Sequence, residues 1–400
     1  MAIVKFVEVC EKIGSGATPR GGKEAYSDEG ISLVRSQNVL DFSFSSDGLV
    51  HINDEQAKKL KNVELHPDDV LLNITGDSVA RACIMDSSFL PARVNQHVAI
   101  VRGKKELVLN SYILYYLQWK KDYLLQLASA GATRNALTKG MIEQLDINLP
   151  SLTEQKRIVA VLDSIQQKIS VNKKINDNLA AQCSCVMYDQ YRSDAQNGNP
   201  WTKYTVQDLI DKKYIDPPMD GNHGELHPKA SDYVATGIPF VMANNLSDGF
   251  VDLSQCAFIT EKQAKTLRKG FARPDDVLLT HKATLGRTAI VPEGYEYIIL
   301  TPQVTYYRVH KGLSNVYLRY YFESSYFQST LEAFAGGGST RAYIGITKQC
   351  GLPVYLPCES SMNILTYSLS QIERVRLLNQ TEIQQLIDAR NTLITQLSSR

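Results

Sequence analysis

The chain has 400 residues, with 43 Lys and Arg against 42 Asp and Glu, 44% apolar residues and 21% charged. That length suffices for two or three domains with real hydrophobic cores, and the apolar share excludes wholesale disorder. A net charge of +1 excludes a generally basic nucleic-acid glue, while leaving room for basic groups gathered on one face.

In chain order, the first residues carry Glu8, Glu11 and Lys12 within an apolar start, which does not fit a secretory signal. No stretch approaches the roughly 20 apolar residues of a membrane span. Seven cysteines without framework spacing point to a reduced, cytoplasmic chain. Residues 1–150 read as a mixed domain. It has short β-like runs such as 98–101, Gly/Pro/Asn turns, and an aromatic-rich helical stretch at 112–127. Leu149-Pro150 then introduces a long helix at about 153–191, with Glu154 and Gln155 in its first turn, inside a spacer segment 151–193. Gly198-Asn-Pro200 separates a second mixed domain, 200–357, with its own aromatic helical stretch at 317–334. A second long helix, within 358–400, follows.

This order repeats because the sequence repeats. Gly30-Ile31 returns as Gly237-Ile238, Asn38 as Asn245, and Gln56-Ala57-Lys58 as Gln263-Ala264-Lys265. Pro67-Asp-Asp-Val-Leu-Leu72 returns letter for letter as Pro274-Asp-Asp-Val-Leu-Leu279, and Gln96, Thr133-Arg134 and Leu149-Pro150 return as Gln303, Thr340-Arg341 and Leu356-Pro357. All these pairs lie 207 positions apart, so the chain is a duplicated unit of about half its length.

Within the first long helix, Ile158, Leu162, Ile165, Ile169, Asn172, Asn176, Leu179, Cys183 and Val186 step by four and three as a heptad seam. In the second, Leu365, Leu369, Ile372, Arg376, Asn379, Ile383, Leu386 and Leu393 follow the same phase. Asn172 and Asn379 are repeat equivalents, and a polar seam residue fixes register. The two helices are therefore expected to pack antiparallel on each other rather than each on its own domain alone. Thirty-six helical residues extend ~54 Å, enough to hold two domains a set distance apart. The expected fold class is α+β: two duplicated mixed domains joined by two long antiparallel coiled-coil helices.

No Walker A loop, G-x-S-x-G elbow, H-E-x-x-H or dinucleotide fingerprint occurs. Asp216-Pro-Pro-Met219 matches three residues of the D-P-P-Y loop of amino-methyltransferases, but Met219 cannot stack on a flipped base, so a Pro-Pro turn is expected. Asn222, His223, Glu225 and His227 have no companion cluster and read as a loop, with no metal site expected.

The polar loops between β-like runs are where the copies diverge. Arg35, Gln37 and Asn38 follow the 31–34 run, and Asn244 and Asn245 stand at the corresponding place. Thr75, Asp77, Ser78 and Arg81 face Lys282, Thr284 and Arg287; Asn95, Gln96 and His97 face Gln303 and its neighbours. Arg, Asn and Gln read base edges bidentately, while Lys, Ser and Thr suit phosphates. Thr133 and Arg134, matched by Thr340 and Arg341, sit in Gly-containing loops that can approach a phosphate closely, and Lys139 and Lys348 lie just beyond them. Retained scaffold with altered loops is the pattern expected of a DNA reader.

The chain resembles the specificity subunit of type I restriction-modification enzymes. The residues that carry the resemblance are Gly14-Ser-Gly-Ala-Thr-Pro19, Gly30-Ile-Ser-Leu-Val34, the Pro67–Leu72 motif, Asn95-Gln-His97, and Leu149-Pro-Ser-Leu-Thr-Glu-Gln-Lys-Arg-Ile158. The second copy departs from it, with Gly221-Asn-His-Gly224 in place of the first loop and Leu356-Pro-Cys-Glu-Ser-Ser-Met362 without the Glu-Gln pair. The resemblance implies two target-recognition domains, each reading one half of a bipartite DNA site, with the helices setting the spacer and docking two modification subunits. It also implies a non-catalytic chain without its own cofactor. S-adenosylmethionine would then belong to the methyltransferase partners, which methylate adenine, and ATP and Mg²⁺ to the restriction subunits. The rival readings are a repeat-built protein-interaction scaffold that binds no DNA, and a specificity subunit of a type IIB-like system.

Overall fold

A computed structural model describes residues 2–19, 21–129, 135–336 and 342–398. It divides into two compact units, Met1–Asn172 with Thr381–Arg400, and Lys173–Gln380.

In the first unit a four-stranded sheet runs in the order Cys10–Ser15, Val98–Gly103, Val70–Asn73, Ala82–Ile84. A smaller sheet sets Ile31–Val34 between antiparallel Val50–Ile52 and parallel Ala92–Val94. The second unit repeats both. Its larger sheet runs Met219–Asp220, Val304–Tyr307, Val277–Lys282, Thr284–Ile290, and Ile238–Val241 lies between antiparallel Ala257–Ile259 and parallel Ile298–Leu300. A two-stranded ladder closes each copy: Ala2–Lys5 with Asp146–Leu149, and Thr202–Thr205 with Pro353–Leu356. The duplication read from spacing is thus a duplication of topology.

The matched residues explain themselves as scaffold. Asp68 and Asp275 both take left-handed backbone, with φ 65° and 73°. That turn carries Asp69 and Asp276 into the interior. There Asp69 accepts from Arg102 Nε at 2.5 Å and Nη2 at 2.6 Å, and Asp276 from Arg308 Nε at 2.9 Å and Nη2 at 2.7 Å. Bidentate pairs of this kind fix geometry as well as charge. Tyr112 and Tyr317, on helices Asn110–Trp119 and Asn315–Glu323, donate to the carbonyls of Asn148 and Tyr355 at 2.8 and 2.5 Å, tying each aromatic helix to its closing ladder. Gly16 and Gly221 correspond as well: a Cβ would lie 2.1 Å from the Val94 carbonyl oxygen in one and 1.9 Å from that of Leu300 in the other. The two loops that differ in sequence, Gly14–Pro19 and Gly221–Gly224, therefore keep the same close backbone approach.

The long helices are Leu152–Gln196 and Glu359–Ser398, and each unit holds part of both. In the first unit Arg390 donates to Gln166 at 2.6 Å and Asn172 to Glu382 at 2.6 Å; in the second, Asn379 donates to Asn176 at 3.2 Å and Gln190 to Ser361 at 3.3 Å. As one number rises the other falls, so the helices are antiparallel. Both packing expectations hold at once. Ile158 and Leu162 join Ile394 and Leu393 against the N-terminal core, while Cys183 and Met187 join Leu365 and Leu369 in the C-terminal core. Ile169 and Ile383 are buried; Ile165, Leu179, Ile372, Asn379 and Leu386 are half-buried. Asn172 is buried, but its partner is Glu382, not its repeat equivalent Asn379.

Gln155 shows why the first helix opens with Glu-Gln. It is fully buried, its Nε2 donates to the carbonyls of Leu107 and Pro150 at 2.9 Å each, and its Oε1 accepts from the Leu109 amide at 2.9 Å. The second copy has buried Met362 at the matching place, filling the space with apolar surface instead. Gln155→Ala strands three backbone groups and is expected to cost about 1–3 kcal/mol, read as a lower denaturant midpoint with unchanged slope.

Candidate nucleic-acid interface

The site is built on the end of strand Val70–Asn73. Asn73 is fully buried, and its Nδ2 donates to the carbonyls of Ser36 at 2.8 Å and Val39 at 3.3 Å, pinning the loop after Ile31–Val34 to the larger sheet. Its own backbone closes the next turn: Ala80 N donates to Asn73 O at 2.9 Å and Asn73 N to Arg81 O at 2.8 Å. Buried Val79 and Ala80 anchor that turn, leaving Asp77 exposed and Ser78 and Arg81 half-exposed. A third loop is joined through Thr75, whose Oγ1 lies 2.6 Å from His97 Nδ1. Gln96 Nε2 lies 3.3 Å from His97 Nε2, so the imidazole is held on both sides.

These three loops bound one cleft of about 480 Å³, lined by Ser36, Gln37, Thr75, Gly76, Asp77, Ser78, Arg81 and His97. Six of the residues expected from sequence to contact DNA in the N-terminal domain meet here. Ser36 was not among those expectations; its position between Arg35 and Gln37 was the available signal. Asn95 and Gln96 flank the cleft, with Asn95 Oδ1 accepting from the His97 amide at 3.1 Å. Lys139 is exposed at the start of helix Lys139–Glu143, in a 3.5 Å pair with Glu143.

Three of the expected readers need correction. Asn38 and Asn245 are 0% and 2% exposed. Asn38 Oδ1 accepts from the Arg35 amide at 3.0 Å and Asn245 Oδ1 from the Met242 amide at 2.9 Å, so both cap the turn that follows the strand and present nothing to a base. Gln37 is exposed, but its Nε2 donates at 3.2 Å to the carbonyls of both Asp47 and Gly48, leaving only Oε1 for a ligand. Bidentate adenine reading, which needs the amide's donor and acceptor together, is closed to it. Arg35 Nη2 donates to the same Gly48 carbonyl at 2.6 Å. Gly48 itself has φ 60°, and a Cβ there would meet Gln37 Nε2 at 2.4 Å.

The C-terminal unit treats the same positions differently. Thr280 stands where Asn73 does, its Oγ1 accepting from the Arg287 amide at 2.9 Å. The loop is tied instead by Arg287 Nη1, at 3.2 Å from the Leu246 carbonyl and 3.4 Å from that of Ala243, so that cation is partly spent on structure. His281 is fully buried with Nδ1 2.8 Å from the Ile344 carbonyl, and burial holds its pKa below the ordinary imidazole value. Strands Val277–Lys282 and Thr284–Ile290 turn tightly at Ala283, with Lys282 and Thr284 exposed. Asn244 and Lys348 are exposed and Gln303 half-exposed. Thr133, Arg134, Thr340 and Arg341 lie outside the described residues.

The remaining motifs are structural. Met219–Asp220 is an edge strand on Val304–Tyr307, with the Tyr306 hydroxyl 3.8 Å from Met219 Sδ. Buried Asn222 bonds the backbone of Lys269 and Arg268, and His223 sits 2.9 Å from Asp220. Among the described residues no group of three or more His, Cys, Asp or Glu could hold a metal ion, and no helix is long and apolar enough to cross a membrane. None of the seven cysteines is in a disulfide.

Comparison with known proteins agrees with this architecture. Residues 1–181 match the model of the type I restriction modification DNA specificity domain. A Methanocaldococcus jannaschii protein described as a type I restriction enzyme MjaX specificity subunit is 28% identical over 171 residues, 42% of this chain and 37% of that one, so the match spans little more than a third of the relative. The crystal structure of a type I restriction-modification S subunit from M. genitalium superposes over 99% of this chain and 96% of its own, with a TM-score of 0.53 at 12% identity. The HsdS subunit from Thermoanaerobacter tengcongensis aligns over 99% and 96% with a TM-score of 0.37 at 15% identity. Residues 1–181 thus match the type I restriction modification DNA specificity domain, and the fold along the chain is the one seen in the M. genitalium S subunit.

Proposed function

We propose that the chain is the DNA-reading subunit of a type I restriction-modification assembly, each mixed domain recognising one half of a bipartite site. The observation that carries this reading is the N-terminal cleft. Apart from Arg81, which answers to Arg287, the side chains that line it differ between the copies, while the turn-capping Asn38 and, at the far end of the same strand, Asp69 with Arg102 are those the copies share. A duplicated scaffold with divergent cleft walls suits two different half-sites. The antiparallel helices would set the unread spacer and dock two modification subunits carrying S-adenosylmethionine, with ATP-dependent restriction subunits joining that core. The chain itself would supply recognition without catalysis or a cofactor.

Gln37→Ala tests the reading. Loss of its one free acceptor and of the turn it holds is expected to weaken binding at one half-site by about 1 kcal/mol and leave discrimination at the other unchanged. The measurement is a binding series over single-base variants of the site at several salt concentrations. A protein-interaction scaffold would instead show no salt-dependent retention on DNA.

A further inference from the structure

The cleft holds two charges of opposite sign that do not neutralise each other. Asp77 and Arg81 both line it, yet neither has an ion-pair or side-chain hydrogen-bond partner among the described residues. They lie four positions apart on a turn locked at both ends by backbone bonds to Asn73. A carboxylate repels phosphate, so this wall is not a seat for the DNA backbone. What remains is one strong acceptor, one forked donor, the acceptor oxygen of Gln37 and the hydroxyls of Ser36, Thr75 and Ser78.

From this, and resting on the DNA-reading function above, we propose that the N-terminal cleft reads a C·G base pair, Asp77 accepting from the cytosine amino group and Arg81 donating to guanine O6 and N7. In the major groove only cytosine and adenine present an amino donor to a carboxylate, and only guanine offers the paired acceptors that a guanidinium fork fits. The cytosine amino group and guanine O6 of one pair are themselves hydrogen-bonded, ~3 Å apart, so a single turn reaches both. The reversed pair sets guanine O6 against Asp77, and a T·A pair sets thymine O4 there, so both are rejected by repulsion as well as by lost bonds. Adenine satisfies Asp77, but its partner thymine gives Arg81 one acceptor instead of two.

The test presents the full chain with a pool of duplexes carrying a randomised core and sequences what it retains, for the wild type and for Asp77→Asn, Asp77→Ala and Arg81→Ala. The wild type is expected to enrich a motif with one invariant C·G position in the half read by this domain. Asp77→Asn, nearly isosteric, is expected to relax that position ~10-fold and no other, and Arg81→Ala to relax the same position. The motif half read by the C-terminal domain reports that each variant is folded. A motif unchanged at every position in both Asp77 variants overturns the base-pair assignment while DNA reading stands. A wild-type chain that enriches no motif, with retention insensitive to salt, overturns DNA reading and the assignment with it.

Discussion

Glu373→Ala is expected to destabilise the C-terminal unit by about 3–5 kcal/mol, because the side chain sits between two buried arginines. Arg319 and Arg376 are 0% and 2% exposed. Arg319 Nη1 lies 2.9 Å from Glu373 Oε1, and Arg376 Nη1 donates to Glu373 Oε2 at 2.8 Å. The Tyr320 hydroxyl adds a third contact to Oε2 at 2.6 Å. Arg376 also donates to the Asp248 carbonyl at 2.6 Å and the Asn176 carbonyl at 3.3 Å, so one cation ties the loop at 248 to both long helices. Truncation leaves Arg376 with neutral acceptors only and Arg319 with Glu323 alone. The check is equilibrium unfolding, with hydrogen exchange in segments 315–323 and 366–380 to assign the loss.

The same group predicts the acid limb. Burial alone would raise the Glu373 pKa, but Arg319 and Arg376 outweigh it and hold the carboxylate below its ordinary value. A carboxylate depressed in the folded state contributes stability that is fully present above its unfolded pKa, about 4.3, and is lost as pH falls through the lower folded value. Glu373→Gln therefore gives up that contribution at neutral pH and shows a flatter decline below pH 4 than the wild type.

How much of this was legible depends on the range of each interaction. The repeat was visible because both copies keep the left-handed Asp turn and the aspartate behind it. The long helices were visible because their burial recurs every three to four residues. Arg376 was legible as a seam position, but its meeting with Arg319 and Glu373 arises only through the folded chain. The error at Asn38 and Asn245 had its remedy in the same comparison. A residue that is both identical in two domains expected to read different sequences and buried in each belongs to the scaffold, and both asparagines cap the same turn. The commitment of Gln37 could not be read, since its partners are backbone carbonyls ten and eleven positions away. The cleft itself gathers residues from 36 to 97, and their meeting depends on Asn73, a residue with no loop signal of its own.

Asp69→Ala and Asp276→Ala form the matched pair of experiments that the duplication invites. Each aspartate is at most 2% exposed and takes both Nε and Nη2 of its arginine, Arg102 or Arg308, while a backbone amide, His66 N or Arg273 N, donates to it at 2.7 Å. Removal leaves a largely buried guanidinium without its counter-charge and frees the left-handed residue before it, at an expected cost of about 3–5 kcal/mol in either case. Arg102 has Glu11 at 3.7 Å as a second carboxylate, whereas Asp276 is the carboxylate paired with Arg308 among the described residues, so the C-terminal substitution is expected to cost more. Asp69→Asn and Asp276→Asn keep one acceptor oxygen but lose the charge and set an amide NH2 against one arm of the guanidinium, and are expected to recover only part of the loss. Because each pair lies inside one unit, hydrogen exchange should accelerate by roughly 10²- to 10⁴-fold in the unit that carries the substitution and stay unchanged in the other. Uniform acceleration across both units would show that the copies unfold as one cooperative body, and the scaffold role would then belong to the chain as a whole rather than to each repeat.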